Sequence, residues 1–139
     1  PMRWPDMEFA PEKAHPLGHD RSTDENNFDN QIFNWYQKLA HIRSNHLALQ
    51  TGEFKELLVD NARNVWAYAR LLNNRMFAIS VINRSEKSQR IAIAMDTFEV
   101  QEGKHLENLI TGSGLEVRDG TVELVLPPLS GAILAPEGN

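Results

Sequence analysis

The acids Asp6, Glu8, Asp20, Asp24 and Glu25 fall in the first 28 residues, together with His15 and His19. Carboxyl pairs held rigidly across a bond, one with a raised pKa, do acid–base and nucleophilic work on acetals. Nothing in this spacing holds these acids rigidly. The segment carries Pro1, Pro5, Pro11 and Pro16 and has almost no hydrophobic period, so it reads as a long loop. Two neutral imidazoles on such a loop, with no helix or strand to fix them, do not make a metal centre. No metal ion and no cofactor is expected. No GxSxG, Walker loop, HExxH, or GxGxxG after a strand is present. The lack of cysteine removes thiolate nucleophiles, Cys-based zinc sites and disulfides. It is compatible with a reducing compartment such as the cytoplasm.

Aromatic rings and one arginine are the remaining candidates. Trp4, Trp35 and Trp66 could stack on sugar rings. Trp35 lies on the apolar face of a helix expected from Asp29 to about Asn45, where packing is the better reading. Ile32, Trp35, Tyr36, Leu39 and Ile42 recur there at helical spacing, with Phe33 and Ala40 beside them. Asp29 or Asn27 would cap it. So broad an apolar arc needs a large partner. Arg43 projects into that arc, which suits a structural tie to a neighbouring domain better than a ligand contact. Trp66 and Tyr68 sit in VWAYARLL, opposite its small residues, and are candidates for sugar stacking.

After the helix the chain turns to short strands. Phe54–Val59, Val65–Leu72, Arg75–Ile82, Gln89–Met95, His105–Ile110, Leu115–Val117, Thr121–Leu126 and Ala132–Ala135 are strand-like, separated by Gly, Asn and Pro signals. Asn73-Asn74 and Asp119-Gly120 read as hairpin turns. The expected fold is mainly β, an antiparallel Greek-key β-sandwich preceded by a loop and one amphipathic helix. Val65, Ala67, Ala69, Phe77, Ile79, Val81, Ile91, Ile93, Val122, Leu124 and Leu126 are the expected core. A net charge of −5 with no basic stripe argues against nucleic acid. No apolar run is long enough to span a bilayer.

Several stretches resemble the α-amylase superfamily, glycoside hydrolase family 13, especially its neopullulanase, cyclomaltodextrinase and maltogenic amylase group and related α-glucosidases. Pro1-Met2-Arg3-Trp4 is similar to the PMxW segment after the eighth barrel strand. LAHIRSNHLALQTGEF resembles LxxLRxxHPALxxGxF at the exit from the barrel, through Ile42-Arg43, His46, Ala48-Leu49 and Gly52-Glu53-Phe54; Leu47 stands where the pattern has Pro. VWAYARLLNNRMFAISVINRSEKS resembles the first hairpin of domain C, and LPPLSGAILAP its last strand.

The resemblance implies that residues 1–50 are the last βα-loop and last helix of a (β/α)₈ barrel, and that 51–139 are a C-terminal sandwich domain. Arg3 and Trp4 would then lie at the substrate rim. The family's catalytic carboxylates come from strands four, five and seven, so none is expected in this chain. The implied partners are α-glucan oligosaccharides, through the whole enzyme, and the barrel in cis. The chain on its own is expected to hydrolyse nothing and to self-associate through Ile32, Phe33, Trp35 and Leu39. The alternative reading is a stand-alone carbohydrate-binding sandwich that uses Trp66 and Tyr68.

Overall fold

The computed structural model describes residues 6–24 and 26–137. The chain forms two compact units, Pro1–Lys38 and Leu39–Asn139. In the first, Glu12 and Asp24 exchange backbone hydrogen bonds of 2.9 and 3.0 Å, which close the proline-rich segment into a loop. Helix α1 spans Asn30–Asn45. Its cap is Asp29, whose Oδ1 accepts the amides of Gln31 at 2.8 Å and Ile32 at 3.0 Å, two donors the first turn would otherwise leave orphaned. Phe33 packs on Phe28, whereas Ile32, Trp35 and Tyr36 are exposed.

The second unit holds the end of α1, a short helix α2 (Leu47–Thr51) and eight strands. These are β1 (Glu53–Asp60), β2 (Val65–Leu71), β3 (Phe77–Asn83) and β4 (Gln89–Ala94), then β5 (His105–Asn108), β6 (Ser113–Arg118), β7 (Thr121–Leu126) and β8 (Ser130–Pro136). All pairings are antiparallel, in the order β1-β2-β3-β8-β5-β6-β7-β4. Strand β6 pairs with β5 through Ser113–Glu116 and with β7 through Val117 and Arg118. It therefore carries the chain from one sheet to the other. The meander β5-β6-β7 with β4 returning beside β7 is a Greek key.

Alternation decides which side of each strand is buried. Val65, Ala67 and Ala69 of β2, Phe77, Ile79 and Val81 of β3, Ile91 and Ile93 of β4, and Val122, Leu124 and Leu126 of β7 all enter one core. Met95, Phe98, Leu106, Val117, Ala132 and Leu134 complete it. Strand β3 is buried on both faces, because Ile42, Leu49 and the partly buried Leu39 cover Ala78 from outside.

Two local readings of the sequence are corrected. The stretch after α1 does not run straight into a strand. His46 turns the chain, its ring N–H donating to the Ile42 carbonyl at 2.8 Å, and α2 follows, burying Ala48 and Leu49. The β2–β3 turn is not a two-residue turn at Asn73-Asn74. Asn73 Oδ1 accepts the amides of Arg75 and Met76, both at 2.9 Å, making an Asx turn over a wider loop, and neither asparagine has positive φ. Asp119-Gly120 does form the tight turn, with φ of 49° and 67°.

Candidate functional site

The outer face of β1 and β2 is where chemistry-bearing side chains gather. Directly opposed residues of an antiparallel pair share a face. Phe54 opposes Arg70, Glu56 opposes Tyr68, and Val59 opposes Trp66. A bulge between Glu56 and Leu58 brings Val59 onto the same face as Phe54 despite their odd spacing. The bulge also turns Leu57 and Leu58 toward the core. The three rings form one cluster, with centroids 4.8 Å apart for Trp66–Tyr68, 5.4 Å for Phe54–Tyr68 and 6.5 Å for Phe54–Trp66. Phe54 is 54% exposed and Trp66 37%, so this apolar strip faces out of the sandwich.

Arg70 closes the strip at one end, between Phe54 on β1 and Ala78 on β3. Its Nε is buried and has no hydrogen-bond partner among the described residues. The sequence singles out Phe54 only as the end of a motif, and its place beside Trp66 and Tyr68 follows from the β1–β2 register, which a period of two in either strand alone does not give.

The other candidates are scattered. Arg3 and Trp4 lie outside the described residues, as does Glu25. Arg43 is exposed at the end of α1. His15 and His19 pack edge to face at 5.1 Å, and no group of three metal-ligating side chains occurs among the described residues. Two described carboxyls have displaced pKa values, and both are lowered. The hydrogen bond from the Arg63 side chain does this for Asp60, and that from Arg118 for Glu116. A lowered carboxyl stays ionised, the opposite of what a general acid on a glycosidic oxygen requires.

The motifs that resemble a known family turn out to be structural joints. Gly52 is buried where α2 passes against β2, and its amide donates to the Ala48 carbonyl at 3.0 Å. Asn83 is 1% exposed and ties two motifs together. Its Nδ2 lies 2.9 Å from the Lys87 carbonyl, 3.2 Å from that of Leu126 and 2.7 Å from that of Pro127. Its Oδ1 accepts the Ser85 amide and hydroxyl. Leu129 adds a backbone hydrogen bond to the Ser85 carbonyl at 3.0 Å. The polar turn read from NRSEKS is thus anchored on a core residue.

No family model matches the chain. It is 28% identical over 120 residues to a β/α-amylase of Paenibacillus polymyxa, covering 84% of this chain and 10% of that protein. To neopullulanase 2 of Thermoactinomyces vulgaris it is 26% identical over 105 residues, covering 74% of this chain and 17% of that one. Among solved structures, an Anoxybacillus α-amylase superposes with a TM-score of 0.66 at 22% identity, over 88% of this chain and 28% of the other. The chain therefore spans between 10% and 28% of these three proteins. In sequence the chain is thus similar to parts of an amylase and a neopullulanase, and its fold is that of part of an α-amylase.

Proposed function

We propose that this chain is the C-terminal portion of an α-glucan-active retaining glycoside hydrolase. Residues 51–139 are the sandwich that braces the catalytic barrel. Residues 1–50 are the barrel's last loop and helix, with Arg3 and Trp4 at the substrate rim. What carries the reading is the kinship with an amylase and a neopullulanase several times longer than this chain. The whole enzyme would cleave α-1,4 links by two carboxyls roughly 5–5.5 Å apart, one the nucleophile and one the acid. Neither belongs to this chain, so its part is positional: it shields the barrel's flank and ties to it through α1, with Arg43 as one tie.

A second reading is a stand-alone sugar-binding sandwich. The exposure of Trp66, with Tyr68 beside it on one face, favours it. Against it stands the ring geometry. At 4.8 Å and 38° the Trp66 and Tyr68 faces lean on each other rather than lying side by side for a pyranose.

Titrating the isolated chain with maltoheptaose separates the readings. Under the first, calorimetry shows no binding and no reducing ends appear. Saturable heat abolished by Trp66→Ala would support the second. The same sample, sedimented over a range of concentrations, should self-associate through the Ile32 and Trp35 of the expected patch, with exposed Tyr36 beside them, since Phe33 packs on Phe28 and Leu39 is partly buried. A monomer at every concentration would count against that patch.

A further inference from the structure

We propose that the turn after β1 is a clasp across the seam of the sandwich, in which Asp60 aims Arg63 at the edge of β4. The clasp belongs to this chain alone and does not depend on the proposed function. The strand order runs from β1 at one end to β4 at the other. Among the described residues, β1 pairs only with β2 and β4 only with β7. Strand β6 joins the two sheets on the far side, so the ladder is open between β1 and β4. Free strand edges carry unpaired amides and carbonyls that can pair with another chain. In β1 the bulge sits beside Leu57 and Leu58, which pack, partly buried, against the core. An open seam would bare them together with the edges.

Three hydrogen bonds make the clasp. Asp60 Oδ1 accepts the Arg63 amide at 2.9 Å, and Oδ2 accepts its Nε at 2.6 Å. Held at both places, Arg63 extends Nη1 to the Arg90 carbonyl of β4, 3.0 Å away. A guanidinium can serve the carboxylate and the carbonyl at once, because its nitrogens are fixed in one planar fork. The side-chain hydrogen bond from Arg63 also holds the Asp60 carboxyl below its ordinary value, so the acceptor stays ionised. Asn64, at φ 55°, ends the turn, and its carbonyl accepts the Arg84 amide at 2.9 Å. That tie goes to the segment after β3, so the base of the turn is fixed without the Arg63 side chain. Arg63 and Asp60 keep 43% and 25% of their side-chain surface exposed. Such a pair adds little to global stability. Its effect is local: it sets how readily the two edges part.

Residue-resolved hydrogen exchange on the 139-residue chain tests this. Asp60→Asn and Arg63→Gln should each speed exchange of the β1 and β4 amides severalfold, with the β3 amides unchanged. Arg63→Lys keeps the charge but lacks the fork, and should open the same two strands. Arg118→Gln breaks an exposed ion pair within β6 and should change neither strand. Wild-type exchange of β1 and β4 in both Arg63→Gln and Arg63→Lys overturns the clasp. So does faster exchange in every strand alike, which would mean an ordinary loss of stability. Acceleration in β1 alone overturns it too, since the turn would then serve only its own hairpin.

Discussion

Asn83→Ala should lower the unfolding temperature of the sandwich by roughly 10 °C or more, the loss expected of about 2–4 kcal/mol in a domain of this size. Its amide serves three backbone carbonyls, of Lys87, Leu126 and Pro127, and its oxygen takes both donors of Ser85. An alanine leaves those groups without partners where water enters poorly. Ser85→Ala removes one hydroxyl from the same joint and should cost about 1 kcal/mol. Thermal denaturation followed by circular dichroism measures both. Equal, small losses in the two variants would mean that Asn83 is not the joint between the turn and the last strand.

Gly52→Ala should be comparably damaging, by about 3 kcal/mol or more, for a different reason. Its backbone, at φ −61°, suits any residue. Space is what forbids the methyl group. A Cβ at this position would stand 2.5 Å from the Ala48 carbonyl oxygen, 2.9 Å from the Leu71 nitrogen and 3.0 Å from the Leu71 carbonyl carbon. All three are backbone atoms, so no side chain can swing aside. The helix α2 would have to lift from β2. Gly103→Ala makes the useful comparison: at φ 76° it is strained, but its Cβ meets nothing nearer than Glu116 at 3.9 Å. It should cost only about 1 kcal/mol. If Gly52→Ala melts no lower than Gly103→Ala, the close approach of α2 to β2 is not what the glycine serves.

These two positions show where sequence reading succeeds and where it stops. Val65, Ala67 and Ala69 alternate with Trp66, Tyr68 and Arg70, and that period of two places the core side of β2 without any knowledge of its neighbours. The same holds for β4 and β7. Helix α1 announces itself by periodicity, and Asp29 by its chemistry as a cap. Asn83 does not, because an asparagine before Arg84-Ser85 looks like one more polar turn residue until β7 and β8 close over it. Helix α2 is too short to show a period. Asn73-Asn74 has the composition of a tight turn, but the Asx turn made by Asn73 competes with it and wins.

The site was legible in part. Trp66 and Tyr68 stand out as aromatic residues on the non-core side of a strand. Their neighbour Phe54 and the donor on Arg70 could not be found that way. The place of Phe54 beside those rings follows from the β1–β2 register, and the burial of Arg70 Nε from packing that no period shows. What the family resemblance added was the idea of a large absent partner, and the exposed apolar residues of α1 and of β1–β2 are consistent with one.

That this chain works as part of a longer hydrolase, as proposed, can be read from the size of the native protein. An antibody raised against residues 39–139, used on extracts of the source cells, gives the mass of the native protein directly. A band several times larger than 15.8 kDa is expected, whose purified protein releases sugars from α-glucan. A single band at 15.8 kDa would contradict it.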